Sequence, residues 1–189
     1  MQTIVIATGN AHKVEEIKSI FSDFEVISQK QAGFEEDVEE NGTSFEENAL
    51  IKARAVSSAL SCIALADDSG ICVNALGGAP GIYSARYSGA HGDDKANRDK
   101  LLLELSDKDD RTAYFKSAVA LVYPDGRELV ATGCTHGHIL FEETGDGGFG
   151  YDCIFFNDDL QKSFGLATAE EKNSVSHRFR ALTQLRKML

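Results

Sequence analysis

The sequence predicts an α/β fold with a mixed central sheet in a single domain of 189 residues. Short β-branched or apolar runs alternate with segments whose apolar residues recur every three or four positions, a pattern typical of strand and helix units. Two long alternating segments, at 113–123 and 128–140, flank a Pro-Asp-Gly turn and predict an antiparallel hairpin. The hairpin makes the sheet mixed. The length, with 42% apolar residues, suits one globular domain.

Two strands and one helix are predicted before residue 30. The β-branched run at 2–7 predicts a buried strand, which the polar segment at 8–10 ends. A second short strand is predicted at 24–28. The helix between them is indicated by apolar residues at spacings of three and four, namely Val14, Ile17 and Phe21.

The next helix is predicted from a capping box and an apolar stripe. The acidic, loop-like segment at 31–42 precedes Thr43 and Ser44, either of which fits the N-cap of a capping box. At about 100° per residue, Lys52 lies about 20° from Phe45 and therefore inside the apolar stripe. The stripe itself consists of Phe45, Ala49, Ala53, Val56 and Leu60.

The middle of the chain is predicted to alternate between apolar runs and turns. The run at 62–66 predicts a strand that ends in the polar segment 67–70, and a second apolar stretch follows at 71–76. A connection with several glycines, at 77–92, leads to a helix that closes at 101–105.

After the hairpin, the glycine-rich loop at 144–150 precedes a predicted strand at 153–156. The chain then ends in a predicted helix. Its apolar face consists of Val175, Phe179, Leu182 and Leu185.

The composition excludes several classes of function. The net charge of −11 argues against binding nucleic acid by general attraction, because that needs a basic surface to displace counterions. No apolar run approaches the roughly 18 residues of a membrane span, and the N-terminus lacks the basic residues of a secretory signal. Four cysteines without a CxxC pair predict reduced thiols. We therefore expect a soluble, cytoplasmic protein that binds neither nucleic acid nor a membrane.

The strand-to-helix turn at 8–13 is the first candidate site. Backbone amides at a helix N-terminus can bind an anion, and Lys13 adds a positive charge. The turn lacks the Walker A pattern, and an ordinary capped helix start is the alternative interpretation.

Asp67 and Asp68 form the second candidate site. Adjacent carboxylates after a buried strand repel each other unless a cation or a proton neutralises them. Oxygen ligands of this kind suit Mg²⁺, which commonly uses one or two carboxylates, several waters and the substrate's phosphates. Glu40 is the best placed further ligand in the acidic run. The alternative is a solvated turn, and the sequence leaves the roles of Asp67 and Asp68 unseparated.

Three further segments carry candidate groups. Lys52 is either a snorkelling side chain or a cation directed at phosphate. The loop at 149–152 offers an aromatic ring and a carboxylate to a flat base, unless its aromatics belong to the core. The start of the last helix carries two cations and an imidazole, those of Lys172, Arg178 and His177. These groups either bind phosphate and hydrogen-bond the edge of a purine, or they are only surface charge.

Taken in order, these segments resemble the inosine triphosphate pyrophosphatase family. They span nearly the whole chain. The matching segments are TGNAHK (8–13), EENGTSFEENALIKA (39–53), ADDSG (66–70), LGGAPGIYSARYSG (76–89), GGFGYDCIFF (147–156) and EEKNSVSHR (170–178). The departures are small: His12 stands where glycine or lysine is common, and Cys153 where many relatives have proline.

The resemblance implies an elongated α/β domain over residues 1–189, with two lobes that flank a nucleotide-binding cleft, usually in a homodimer. It also implies Mg²⁺-dependent hydrolysis of ITP, dITP and XTP to the monophosphate and pyrophosphate, which cleanses the nucleotide pool. Glu40 and Asp68 would hold Mg²⁺, and Asp68 would be the catalytic proton acceptor. The residues implied to contact substrate are Thr8, Gly9, Asn10, Ala11, His12, Lys13, Lys52, Ser69, Phe149, Gly150, Tyr151, Asp152, Lys172, His177 and Arg178.

The corresponding mechanism is attack of a metal-activated water on the α-phosphorus, with Lys13, Lys52 and Lys172 stabilising the leaving pyrophosphate. Amides of the 149–152 loop and the pair at 177–178 are candidates for recognising the 6-oxo group of the base. Two alternatives are a pyrophosphatase for other modified nucleotides, including pyrimidines, and a non-catalytic nucleotide sensor. The acidic residues argue against the sensor, because a pure binder needs no metal-activated water.

Overall fold

The computed structural model describes residues 2–189, apart from the side chains of Ala11 and His12. In this part of the chain, seven strands form one sheet in the order β2-β1-β3-β4-β5-β6-β7. The strands are β1 Thr3–Ile6, β2 Glu25–Ser28, β3 Ile63–Val73, β4 Thr112–Val122, β5 Glu128–Ile139, β6 Phe155–Asn157 and β7 Lys162–Ser163. The helices are α1 Ala11–Ile20, α2 Phe45–Leu60, α3 Asp94–Glu104, α4 Ala169–Val175 and α5 His177–Arg186. Short 3-10 helices cover Asn74–Leu76, Gly81–Arg86, Asp152–Ile154 and Phe164–Leu166.

The residues form two compact units. Unit 1 contains the described residues up to Asp68, together with Ser117–Gly133 and Arg178–Leu189. Its first strand, β1, pairs in parallel with both β2 and β3. Parallel strands are buried on both faces, which explains the continuous apolar run at 2–7. The buried core of unit 1 includes Ile4, Ile6, Val14, Ile17, Phe21, Leu65, Val119, Leu121, Leu182 and Leu185.

Unit 2 contains Ser69–Lys116 and Cys134–His177. Its strands β5, β6 and β7 pair antiparallel, so the sheet is mixed as predicted. The core includes three phenylalanines, and the ring centroids of Phe115 and Phe155 are 4.8 Å apart in an edge-on arrangement. Other buried members are Ile71, Val73, Leu101, Leu105, Ile139 and Phe164.

The α/β class and the mixed sheet are confirmed, whereas three predicted boundaries are wrong. The strand predicted at 153–156 spans Phe155–Asn157, because a 3-10 helix covers Asp152–Ile154. Strand β3 does not end at residue 66 but continues to Val73, because the carboxylates of Asp67 and Asp68 find charged and polar partners within the fold. The predicted last helix is two helices, since Ser176 adopts an extended conformation with φ −67° and ψ 151°. Strand β7 and the 3-10 helices were not predicted. Across residues 2–189, no helix is long and apolar enough to cross a membrane.

Candidate active site

The centre of the candidate site in unit 1 is the pair Asp67 and Asp68, inside strand β3. Successive side chains of a strand point to opposite faces of the sheet. Both residues are buried, with exposed fractions of 1% and 8%. Strand geometry therefore gives the two neighbouring carboxylates different surroundings.

Asp67 is held by two cations. Its Oδ1 lies 3.0 Å from Lys13 Nζ, and its Oδ2 accepts a hydrogen bond of 3.0 Å from Arg178 Nε. Arg178 Nη1 in turn lies 2.7 Å from Glu16 Oε2. Burial by itself would raise the pKa of Asp67, but the charges of Lys13, Arg178 and Lys52 outweigh it and hold that pKa well below its ordinary value. Asp67 is therefore ionised, and it anchors two basic side chains.

Asp68 has a different environment. Its Oδ2 accepts a 3.0 Å hydrogen bond from Asn48 Nδ2, while its Oδ1 is 3.9 Å from Lys52 Nζ. Burial raises the pKa of Asp68 to about 6, and the negative charge of Glu40 adds to the rise, although Lys52 opposes it. Asp68 thus exchanges a proton near neutral pH and benefits from any additional positive charge.

Helix α2 supplies the groups that surround Asp68. The helix begins at Phe45, because the Ser44 side chain accepts a hydrogen bond from the amide of Glu47. Asn48 and Lys52 are four residues apart and therefore share one face of the helix. Lys52 Nζ lies 2.8 Å from the carbonyl oxygen of Asp67 and 3.2 Å from Glu40 Oε1. Lys52 therefore does not snorkel into solvent, and it lies between carboxylates.

The turn before α1 is a capped helix start that also delivers a cation. Asn10 Oδ1 accepts a 3.3 Å hydrogen bond from the amide of Lys13, and Thr8 Oγ1 accepts one of 3.2 Å from the amide of Asn10. Gly9 is exposed in the same turn. The side chains predicted for the substrate at Ala11 and His12 lie outside the described part of the structure. Burial lowers the pKa of Lys13, while the charge of Asp67 opposes that change.

Unit 2 contains a second cluster of predicted site residues around Asp152. Asp152 Oδ2 lies 2.5 Å from Lys172 Nζ and accepts a 2.8 Å hydrogen bond from the amide of Phe149. A side chain at Gly148 would place its Cβ 2.2 Å from the same oxygen, so this position requires glycine. The carboxylate of Asp152 therefore fixes both the loop backbone and a buried lysine.

Two aromatic rings, those of Phe149 and Phe164, lie near the Lys172 ammonium. Its Nζ lies 4.4 Å from the centroid of the Phe149 ring, an arrangement that favours a cation. The Phe149 ring is 39% exposed, so it also offers a surface for stacking.

Tyr151 is buried, and its hydroxyl donates to the carbonyl of Ser84 at 2.7 Å. His177 is buried with its ring stacked on Phe115, at 4.9 Å between centroids.

The structure brings most predicted residues into one of these two clusters. Lys13, Lys52, Asp68 and Glu40 belong to unit 1. Arg178 belongs to the same cluster, with its guanidinium on Asp67 and Glu16, and its predicted contact with the base stays a prediction. The half-buried Ser69 follows Asp68 on β3 and belongs to unit 2.

Sequence reasoning missed two side chains that organise the unit 1 cluster. Asn48 hydrogen-bonds both Asp68 and the amide of Gly42, at 3.0 and 2.9 Å. Its position four residues before Lys52 on a helix was the signal that indicated a shared face. Glu16 carried no such signal, because its partner Arg178 is distant in the sequence.

The fold and the clusters define an α/β protein with a carboxylate pair, basic side chains suited to phosphate and a separate aromatic, cationic loop. Residues 4–188 match the Ham1 family, and the chain belongs to that family. The resemblance seen in the ordered segments is thereby confirmed.

Similar proteins are known from several bacteria. A dITP/XTP pyrophosphatase of Clostridium perfringens is 45% identical over 98% of this chain and 96% of the relative. One of Bacillus subtilis is 45% identical over 100% of this chain and 98% of the relative. The solved Ham1 protein of Staphylococcus aureus has a TM-score of 0.92 and 42% identity, covering 99% of this chain and 97% of that chain.

Proposed function

We propose that this protein hydrolyses non-standard purine nucleoside triphosphates (ITP, dITP and XTP) to the monophosphate and pyrophosphate, with Mg²⁺ as cofactor. The observation that supports this proposal most strongly is that the two neighbouring carboxylates have different charged partners and opposite pKa shifts. Asp67 holds Lys13 and Arg178, while Asp68 has a raised pKa beside Glu40 and Lys52. Similarity to the dITP/XTP pyrophosphatases supports the choice of substrate.

Asp68 and Glu40 are the residues that would hold Mg²⁺. Both carboxylates approach the single ammonium of Lys52, at 3.9 and 3.2 Å, and the charge of Glu40 raises the pKa of Asp68. A divalent cation would relieve that repulsion. Among the described side chains, no group of three or more His, Cys, Asp or Glu is suited to hold a metal. A pair is sufficient for Mg²⁺, which completes its shell with waters and substrate phosphates.

The bound metal would supply a water of lowered pKa. Asp68 accepts the proton of the attacking water, because its carboxylate is ionised near neutral pH and burial, which raises its pKa in the metal-free protein, makes it a stronger base. The water oxygen attacks the α-phosphorus, and pyrophosphate leaves. Lys13 and Lys52 stabilise the phosphate charge that grows on the leaving group.

Binding of the purine base of the substrate is assigned to unit 2. The exposed face of Phe149 provides stacking. The amides of Phe149, Gly150 and Asp152 already donate within the protein, so the amide of Tyr151 is the donor of the 149–152 loop that we assign to the 6-oxo group. Lys172 and His177 add a buried cation and an imidazole to the same unit. Adenine carries an amino group in place of the 6-oxygen. That amino group would point a hydrogen-bond donor at the donors of the protein, which disfavours ATP.

Product analysis tests this function directly. The protein is incubated with ITP, XTP, dITP, ATP and GTP in the presence of Mg²⁺, and the products are separated by ion-exchange chromatography. We expect monophosphate and pyrophosphate from the first three nucleotides. Diphosphate and phosphate as products would contradict the assigned bond, and faster turnover of modified pyrimidines would contradict the assigned base.

Chelation with EDTA is expected to stop the reaction, and full activity in EDTA would remove Mg²⁺ from the proposal.

We also propose a homodimer in the cytoplasm. The dimer is supported by the family resemblance, and the compartment by the cysteines, since none of the four forms a disulfide in the described structure. Sedimentation equilibrium tests the first, and a mass near that of one 20.5 kDa chain would contradict it. Cell fractionation tests the second.

A further inference from the structure

The backbone of Gly150 is held on both sides by helix α3. The amide of Gly150 donates a 3.0 Å hydrogen bond to Asp94 Oδ2, and its carbonyl accepts one of 2.8 Å from Arg98 Nη1. Asp94 and Arg98 are four residues apart and therefore share one face of the helix. Both polar groups of a single loop residue are thus bound by charged side chains, and such hydrogen bonds are the stronger kind.

Two further contacts stiffen this arrangement. Arg98 Nε lies 2.8 Å from Glu143 Oε1, so the guanidinium is fixed from a second direction. The neighbouring amide of Phe149 is bound by Asp152. Gly150 has a φ of +60°, in the left-handed region that glycine adopts without steric cost. The backbone that carries the Phe149 ring is therefore held in place by side chains of α3 and by Asp152.

We propose that Asp94 and Arg98 are positioning residues that set the base selectivity of the 149–152 loop. The proposal rests on the function proposed above, in which that loop binds the purine. Neither side chain is assigned a contact with substrate, and both act through Gly150. Their removal should loosen the loop, weaken nucleotide binding and reduce discrimination between ITP and ATP. Chemistry at the carboxylate pair of unit 1 should continue.

The test uses Asp94→Ala and Arg98→Met, the second of which retains an apolar stem without the donors. Matched controls are Asp99→Ala and Lys95→Met, because these residues lie on the same helix but pair with each other at 2.8 Å. Steady-state kinetics with ITP and ATP give KM, kcat and selectivity. The inhibition constant of added pyrophosphate reports on the phosphate groups, and hydrogen exchange of the 144–153 segment reports on the loop.

We expect KM for ITP to rise about tenfold in each test variant, the effect of losing one hydrogen bond to a charged group, with kcat changed less than about twofold. The ITP-to-ATP preference should fall, loop exchange should accelerate and pyrophosphate inhibition should stay constant. The controls should match the wild type. Unchanged KM and preference in folded variants, or an equal loss in the controls, would overturn the proposal. Glu143→Gln, which frees Arg98 from one side, provides the same comparison if Arg98→Met does not fold.

The proposed function can fail separately. A wild-type protein that releases no pyrophosphate from any of these nucleotides contradicts the function itself. An active wild type with unaffected variants contradicts only the positioning role.

Discussion

The pKa of Asp67 is lowered and that of Asp68 is raised, because their charged neighbours differ. Two cations approach Asp67 at 3.0 Å, so its negative charge is compensated despite complete burial. Asp68 has one lysine at 3.9 Å and a second carboxylate nearby, so its charge is only partly compensated. The first carboxylate therefore contributes to stability, and the second is held in an unfavourable state that a metal or a proton relieves.

We predict that Asp68→Asn abolishes turnover but stabilises the metal-free protein above pH 6. The raised pKa means that native Asp68 binds its proton more tightly than the unfolded chain does. Wild-type stability therefore falls as the pH rises from about 4 to about 6, and the loss persists at higher pH. The variant avoids this loss, which is about 3 kcal/mol at pH 8 for a pKa raised to about 6. Urea titrations in EDTA at pH 4 and pH 8 measure the difference, and product release measures the turnover.

The two stability curves should converge below about pH 4, where Asp68 is protonated in both the native and the unfolded states. A variant less stable than the wild type at pH 8 would show that the pKa is not raised. Turnover within tenfold of the wild type would remove Asp68 from its catalytic role.

Asp67→Asn is expected to have the opposite effect on stability. It leaves the buried Lys13 and Arg178 with less negative charge nearby, and breaking a buried ion pair costs about 3–5 kcal/mol. Because the pKa of native Asp67 is lowered, this contribution is present above about pH 4 and is lost as the pH falls further. Thermal unfolding at pH 8 checks the prediction. Asp107→Asn, at an exposed pair with Lys108, is the control and should change stability by less than about 0.5 kcal/mol.

At the residue scale the sequence predicted that Asp67 and Asp68 need a neutralising cation, but not which cation each of them contacts. Adjacent aspartates after an apolar run indicate a cation site whatever their partners are. Which of them binds Lys13 depends on the phase of β3 and on Arg178, which is more than 100 residues away. Neither is encoded in local periodicity, so the roles of Asp67 and Asp68 could not be separated.

At the element scale, the N-terminus of α2 controls the surroundings of Asp68. We predict that Ser44→Ala lowers the free energy of unfolding by about 1 kcal/mol, because the amide of Glu47 loses its capping acceptor. Chemical denaturation measures this loss. Ser19→Ala, on the exposed side of α1, is the comparison and should cost no more than a few tenths of a kcal/mol. Equal effects would show that the Ser44 cap contributes nothing specific.

The elements that the sequence placed correctly are those with a strong periodic pattern. Helix α2 was predicted from its capping box and its apolar stripe, and Phe45, Ala49, Ala53 and Val56 are buried as expected. Strand β3 was cut short because a polar tetrapeptide normally ends a strand, whereas here its charges are compensated inside the fold. The sequence did not predict the helix break at Ser176, because neither glycine nor proline marks it and the apolar spacing continues across it.

At the scale of the whole molecule, the predicted site residues divide between the two units. The groups assigned to phosphate and metal come from α1, α2, β3 and the segment before α2, which carries Glu40, all in unit 1. The loop assigned to the base comes from unit 2. The sequence predicts a set of candidate residues, because each ordered segment carries its own motif, and the contacts of these residues with substrate stay predictions. Their grouping follows from the strand order, which no single motif contains.

The net charge of −11 over the whole molecule affects how Mg²⁺ acts on stability. We predict that Mg²⁺ at 100 times its dissociation constant stabilises the native protein by about 2.7 kcal/mol at pH 8. The stabilisation should begin to decline as the pH falls below about 6 and should be mostly lost by about pH 4, because protons then compete for Asp68. Thermal unfolding with and without Mg²⁺ across this pH range measures the effect.

A net charge of −11 means that any added salt screens repulsion and raises stability somewhat, so the comparison must be made at equal ionic strength with NaCl. Asp68→Asn separates binding at the carboxylate pair from screening, since it leaves most of the net charge in place. We expect Mg²⁺ to stabilise the wild type more than NaCl does, and to stabilise the variant no more than NaCl does. An equal response of both proteins would assign the whole effect to screening and would remove Asp68 from the metal site.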